Sequence, residues 1–468
     1  MITRPCRQYT PSMVNPPLKN TRKSNQRSPS LKGVSMARLA ALNLIEDVMG
    51  KGLPLQESIA RSREYDALDA RDRRFCRRII SLTLRHHGEA SAILAPHLNR
   101  PPKGKNRKAG FVLMMAVTEM IMGGGEPHAV VDQSVRLVKA VELAHLGGLT
   151  NAVLRKIAAE AETLKARPAD AWANLPTWLA RAIRADWPDQ ADAVAASLMM
   201  TPPLDLSLKN TGGDNTRHWA EQLGGTPLPN GSIRLTEGHV PALPGYDDGA
   251  WWVQDAAASL PARLMGDIAG KRVADICAAP GGKTAQLCAA GADVTAIDVS
   301  ANRLERLNEN MARLGFSPQI VVADATRWRP DTKFDAIMID APCSATGTIR
   351  RRPDILCHDN APDFASLRQV QSGLLAAAAD LVRPGGVVIF ATCSLLKREG
   401  EGIITKAPET LRPMPFTEAE LNLGFRADTS AGGHALRLMP NALRLDSTAD
   451  MPQGNDGFFI SRFERAAE

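Results

Sequence analysis

Asp275-Ile276-Cys277-Ala278-Ala279-Pro280-Gly281-Gly282-Lys283-Thr284 follows a short apolar run at 273–276 and leads into a helical pattern. Its glycines and alanines let a backbone approach a ligand closely. The helix that follows aims its first N–H groups at the same place. The stretch is not a phosphate loop of the G-x-x-x-x-G-K-[ST] kind, because the first glycine is missing at its proper distance. Lys283 is therefore expected to meet a carboxylate. Outward from this turn, apolar runs at 294–297, 320–323, 334–339 and 387–390 alternate with helical patterns such as Leu304, Leu307, Met311 and Leu314. That alternation predicts an α/β region, with a parallel sheet covered by helices on both faces and a ligand site beyond the carboxyl ends of the strands.

Three further strands end in acids: Asp298, 23 residues after Asp275, then Asp324 and Asp340. A carboxylate about 20 residues past a glycine-rich turn is placed to accept from ribose hydroxyls. One such Asp is no more than a helix cap; three in succession on one sheet edge form an acidic rim. That rim repels a phosphate and welcomes a cationic sulfonium nucleoside. S-adenosylmethionine is the cofactor these charges select.

The fourth strand runs on through Pro342-Cys343-Ser344-Ala345-Thr346-Gly347, and the fifth ends Thr392-Cys393-Ser394. Seven cysteines, an odd number with no C-x-x-C pair, argue against disulfides and metal knuckles and for a reducing, cytoplasmic setting. Cys76, Cys288 and Cys357 read as small apolar residues. Cys343 and Cys393 lie instead in polar turns beside the methyl donor. A thiolate there can add to carbon 6 of a cytosine and make carbon 5 nucleophilic. Asp340 is the acid placed to touch ring N3. Spacing alone does not say which cysteine attacks.

Segments 275–284, 340–347 and 392–394 resemble the signatures of the Sun/NOL/NOP2 family of RNA cytosine-5 methyltransferases. The resemblance implies a Rossmann-like methyltransferase sheet, with Cys393 as nucleophile and Cys343 assisting product release. It implies a donor site of Cys277, Ala278, Ala279, Pro280, Gly281, Gly282 and Lys283, with Asp298 on the ribose, Arg303 beside it, Asp324 near the adenine and Asp340 near the methyl group. Residues 36–160 are helical throughout, and Arg71–Phe75, 127–132 and 150–155 make them similar to a NusB-like RNA-binding domain. That pairing implies RNA as partner, 16S ribosomal RNA ahead of tRNA, and a monomeric enzyme with no membrane attachment. Ile349-Arg350-Arg351-Arg352-Pro353-Asp354 also follows the family, and its arginines suit phosphates. Two departures stand out. Leu356-Cys357 replaces the usual Lys-Trp, and Glu399-Gly400-Glu401 replaces Glu-Asn-Glu.

The remaining organisation is coarser. Residues 1–35 hold seven Lys or Arg and no acid, so the net charge of +7 resides there. This predicts a disordered basic tail. Residues 161–250 are expected to form a small α+β connecting domain, and 251–468 the catalytic domain. Trp251 and Trp252 are base-stacking candidates, with a core role preferred for at least one. The pair His86-His87 is expected to cap a helix or face solvent, and Arg71–Arg78 is a candidate RNA face. No metal site is expected. Another methyltransferase, acting on DNA or a small molecule, and a non-catalytic RNA-binding assembly factor are the competing functions.

Overall fold

A computed structural model describes residues 33–429, 432–443 and 453–467. The basic tail before residue 33, with Cys6, lies outside the described residues. The chain begins in helices: α1 Met36–Ile45, α2 Leu55–Arg61, α3 Ala70–Arg85, α4 His87–Leu94, α5 Arg107–Ile121, α6 Pro127–Ala140 and α7 Gly147–Ala159. Ser35 and Asp69 cap α1 and α3 through their side chains, satisfying the N–H groups of Arg38 and Asp72. α3 shows why its arginines sit where they do. Cys76, Ile79, Ile80 and Leu84 face the core, while Arg71, Arg73, Arg74, Arg77 and Arg78 remain exposed.

Two further helices, α8 Thr177–Asp186 and α9 Ala191–Leu198, lead to a small antiparallel sheet of β1 Leu204–Leu208, β2 Thr226–Pro227, β3 Ile233–Leu235 and β4 Trp251–Val253. The strand order is β2-β3-β1-β4, and α10 Gly213–Leu223 packs on it. A fully buried bidentate pair, Arg234 to Asp205 at 2.7 and 2.8 Å, spans β1 and β3. Trp251 and Trp252 are 0% and 5% exposed, so both are core residues and neither is available to stack a base.

The large sheet contains β5 Arg272–Ile276, β6 Asp293–Asp298, β7 Gln319–Val322, β8 Phe334–Asp340 and β9 Val382–Thr392, all parallel to their neighbours among these five. Antiparallel strands β10 Leu411–Pro413, β11 Phe425–Asp428, β12 Ala435–Leu443 and β13 Phe458–Arg465 extend it beyond β9. The order is β11-β12-β13-β9-β8-β5-β6-β7. Chain order therefore reverses between β5 and β8, which opens a crevice at their carboxyl ends. The apolar runs bury both faces. Ile337, Ile339, Val388 and Phe390 pack one way, against helix Phe364–Leu381. Ala336, Met338, Ile389 and Ala391 pack the other way, against Leu260, Leu264 and Leu287. The aromatics of Asp456-Gly457-Phe458-Phe459 enter this core at the start of β13.

Two seams join the parts. Leu179, Ile183, Val194 and Leu198 of α8 and α9 pack against Ile349, Leu356, Leu395 and Leu396, and Trp187 donates its indole N–H to the Leu395 carbonyl at 2.8 Å. The N-terminal helices meet the same region. Leu55 N–H donates to Asp354 Oδ2 at 3.3 Å, and Arg85 donates to the Arg350 carbonyl at 2.6 Å. The histidine pair caps the junction of α3 and α4, the first of the two alternatives the sequence offered, with the His86 N–H bonded to the Leu82 carbonyl and His87 Nδ1 3.0 Å from the Leu84 carbonyl. His86 bonds Glu89 at 2.7 Å, while His87 is part-buried against Leu84 and Cys357, and burial lowers its pKa.

Candidate active site

The donor-side loop after β5 is held by backbone geometry as much as by side chains. Cys277 and Ala345 have φ of 63° and 54°, in the left-handed region that non-glycine residues seldom occupy. One belongs to this loop, the other to the Pro-Cys loop. Gly281, at φ 104°, caps helix α11 Gly282–Ala289, and a Cβ there would meet Leu307 at 3.0 Å. The loop therefore requires a glycine both for its φ and for its closeness to helix α12, Ala301–Leu314.

The acids at the strand ends have separate surroundings. Asp275 is fully buried and accepts from Thr284 Oγ1 at 2.6 Å, while its other oxygen has no partner. Burial pushes its pKa up to about 7, against the Thr284 bond and Lys283. Asp298 accepts from Ala279 N–H at 3.4 Å and Ser300 N–H at 3.0 Å, and pairs with Arg303 at 3.2 Å. Asp324 is exposed and turns back on its own chain, accepting from Thr326 N–H at 3.0 Å and Oγ1 at 2.7 Å. Those hydrogen bonds hold its carboxyl below its ordinary pKa. Asp298 and Asp324 are thus both turn-formers and rim acids, a double use that spacing does not reveal.

Lys283 crosses the crevice. Its Nζ lies 2.8 Å from Asp340 Oδ2 and 5.2 Å from the centre of the Phe458 ring. Burial works against this charge, and the Asp340 carboxylate outweighs burial, so the lysine pKa is raised. A cleft of about 240 Å³ opens beside the pair, lined by Gln254, Asp255, Asp275, Ala279, Arg351 and Asp456 among others.

Across the crevice the two cysteine loops meet. Asp340 is level with Ala391 in the β8–β9 register, and Cys343 Sγ lies 3.5 Å from Cys393 Sγ. The bond to Cys393 and burial together raise the Cys343 pKa well above that of an ordinary thiol. Cys343 is therefore held as a thiol. Gly347 N–H donates to the Cys393 carbonyl at 2.9 Å, and Leu395 N–H to Thr346 Oγ1 at 2.9 Å, so each loop braces the other.

The residue that ties them is Glu399, which is fully buried. It accepts from Ser344 N–H at 2.9 Å, Ser394 Oγ at 2.6 Å, Gln371 Nε2 at 3.3 Å and the Ser344 hydroxyl. In the sequence Glu399 stands out only as the neighbour of a family departure, and nothing singles out Gln371 or Arg437. The departure itself has a cause. A Cβ at Gly400 would lie 2.6 Å from both Arg437 Nη2 and Phe459 Cγ. Arg437 pairs with Glu401 at 2.6 Å and donates to the Ser394 carbonyl, so it fills the space a side chain would need.

The arginines 350–352 are a further correction. Arg350 is 1% exposed and donates to carbonyls of Thr201, Gln453 and Asn455. Arg351 bridges Asp255 at 2.7 Å and Asp456 at 3.0 Å. Arg350 is buried, Arg351 is half-buried on the wall of the active cleft with its guanidinium held by two carboxylates, and Arg352 is exposed. Among the described residues no group of His, Cys, Asp and Glu has the makings of a metal site, and no helix is long and apolar enough to cross a membrane.

Residues 265–464 match the model of the 16S rRNA methyltransferase RsmB/F family, and residues 35–159 match the NusB family. The chain is 33% identical to the ribosomal RNA small subunit methyltransferase B of Xylella fastidiosa, over 91% of this chain and 97% of that one. With the protein of the same description from Klebsiella pneumoniae it shares 32% identity, over 79% of this chain and 88% of that one. Among solved structures, the crystal structure of PH0851 superposes with a TM-score of 0.70 at 19% identity, covering 92% of this chain and 99% of that one. NSun6 from Pyrococcus horikoshii with SFG gives 0.52 at 19% identity, over 63% and 99%. These two similarities speak for the fold alone.

Proposed function

The chain belongs to the ribosomal RNA small subunit methyltransferase B family, and from that premise we propose that it methylates carbon 5 of a cytosine in small-subunit ribosomal RNA, using S-adenosylmethionine. The observation that carries the cytosine reading is the pair of thiols 3.5 Å apart at the ends of adjacent strands, on the strand end that carries Asp340 and that Lys283 reaches across the crevice.

The donor-side residues fit the cofactor. A buried Asp275 oxygen lacks a partner, the loop 277–283 is narrow and free of bulk, and Asp298 and Asp324 stand at successive strand ends. S-adenosylmethionine, held by these residues with Arg303 and Asp340, supplies the methyl group. Cys393, as thiolate, forms a bond to carbon 6 of the ring, and the electron pair moves toward carbon 5 and N3. Asp340, taking a proton from the Lys283 ammonium bonded to it, is the acid that hands that proton to N3, where the negative character gathers. Cys343 is held protonated, in keeping with a later role in product release. After methylation water in the cleft takes the proton on carbon 5, the C–H pair restores the C5–C6 double bond, and the C6–Sγ bond breaks so that Cys393 leaves with its electron pair. The substrate is naked ribosomal RNA or an early particle, bound by a monomer.

The test uses small-subunit ribosomal RNA containing 5-fluorocytosine. Fluorine cannot leave as a proton does, so the protein–RNA bond persists through denaturing electrophoresis. The adduct is expected with wild type and Cys343→Ala and absent with Cys393→Ala. The reverse pattern exchanges the cysteines, and no adduct from any variant sinks the covalent reading.

A further inference from the structure

Arg263 is out of place in a structure that pairs most of its interior charges. Among the described residues its guanidinium makes no hydrogen bond and no ion pair, and its Nε is buried without a partner. Burial lowers its pKa, and no neighbouring carboxylate opposes that shift. By contrast Arg234, Arg351, Arg437 and Arg462 each hold a carboxylate within 3.0 Å. Arg263 is half-buried, and a partly desolvated cation with no counter-charge is less favourable there than an apolar residue of similar shape.

The geometry around Arg263 suggests what would supply the counter-charge. It lines two clefts, of about 350 and about 540 Å³, that join at Arg263 and Thr211. Lys209, bonded to the Leu314 carbonyl at 2.6 Å, lines the first, and Arg217, 3.6 Å from the exposed Asp214 of the same helix, lines the second; no Asp or Glu lines either. Ser207, 1% exposed, lines the first with a hydroxyl that has no partner. α10, eleven residues long, starts at Gly213 on the second cleft with no side-chain cap, and Cβ atoms at Gly212 and Gly213 would meet open space. Its first N–H groups add positive potential there. The only aromatic on either cleft is Trp252, whose ring is buried and whose N–H is bonded to Gln254, so it offers no face for a base.

One side-chain contact joins the wall of the trench to the wall of the active cleft. Gln286 of α11 lines the first part of the trench and accepts from Gln254 Nε2 at 2.7 Å, and Gln254 lines the cleft beside Lys283. We propose that this trench is a phosphate track, in which Arg263 pairs with a phosphodiester of the RNA strand flanking the target nucleotide. Two joined clefts with cations along both suit a chain of phosphates better than one free ion. The inference rests on RNA being the substrate.

The test compares wild type, Arg263→Met and Arg263→Lys in binding a labelled small-subunit ribosomal RNA fragment across a potassium chloride series. Arg263→Met is expected to bind about tenfold more weakly, with the slope of log K against log salt smaller by about one. Arg263→Lys keeps most of that slope. The melting temperature of Arg263→Met should equal or exceed that of wild type, and its affinity for S-adenosylmethionine should be unchanged. Wild-type affinity and slope in Arg263→Met overturn the proposal. Should that variant not fold, Arg217→Gln on the same trench must also lower the slope, and an unchanged slope overturns it. Wild-type methyl transfer to the same RNA, run in parallel, separates the two claims. Transfer with an unaltered Arg263→Met refutes only the track, whereas a wild type that neither binds nor methylates RNA refutes the substrate reading as well.

Discussion

On the donor side of the crevice each carboxylate is secured by its own neighbourhood: Asp324 by Thr326, Asp298 by Ser300 and Arg303. On the cysteine side the ties reach farther. Glu399 holds Ser344, 55 positions away, while Gln371 and Arg437 enter from a helix and from β12. The first side is a set of separate turns at the ends of strands. The second is one buried polar network, and such a network is worth more intact than its bonds added singly. Damage to a donor-side turn should therefore stay where it is made, whereas damage to the network should reach both cysteines.

Substitutions on the two sides put this contrast at risk. The largest effect belongs to Cys393→Ala, expected to lower methyl transfer by roughly four orders of magnitude or more while leaving the fold and cofactor affinity intact. A tritium-transfer assay reads it, and a loss below tenfold would remove Cys393 from the chemistry. Next comes Glu399→Ala, which leaves the Ser344 and Ser394 donors buried and unpaired and should cost about 3 kcal/mol or more in urea unfolding. Glu399→Gln should keep most of the stability yet slow transfer. Equal stability for Glu399→Ala and wild type would mean that the loops are not held as described.

The pH dependence of the ligand-free protein is a smaller effect, with a definite sign. Asp275 is pushed up to about 7, so the folded state binds a proton that the unfolded state releases near pH 4. Stability from this group is therefore lost as pH rises from about 4 to about 7 and is level above, a change on the order of 4 kcal/mol. Asp275→Asn should flatten that decline in melting curves, and an unchanged decline would assign it to other groups. Smallest is Asp324→Ala. Stability should move by no more than about 0.5 kcal/mol, while cofactor affinity falls about five- to tenfold by calorimetry. A large loss of stability there would mean that the donor side is not a set of independent turns.

The same contrast explains what the sequence disclosed. The stretch 275–284, the acids and the two cysteines are short local patterns at strand ends, and α/β alternation alone is enough to set them on one edge of a sheet. Glu399 was legible as a letter but not as a tie, because its partners lie in separate segments brought together only by the β8–β9 pairing. Arg350 and Arg351 misled for the mirror reason. An arginine run signals phosphate contact when solvent faces it, and burial against 255, 453–456 and 201 is a tertiary fact. Gly400 looked like a loosened motif, yet the position is filled by Arg437.

The seam of α8 and α9 against the cysteine loops carries a consequence for how the chain is made. Leu179, Ile183, Val194 and Leu198 leave the ribosome well before Leu395 and Leu396, the residues that cover them. At about 5–20 residues per second, the roughly 200 intervening residues take on the order of 10 to 40 seconds to appear. During that interval the two helices present bare apolar stripes to solvent, a natural landing place for a holdase. Nascent chains stalled before residue 340 should be cut by protease within 177–198, and chains stalled after β13 has emerged should resist. Equal resistance at both lengths would mean that the helices find another cover while they wait.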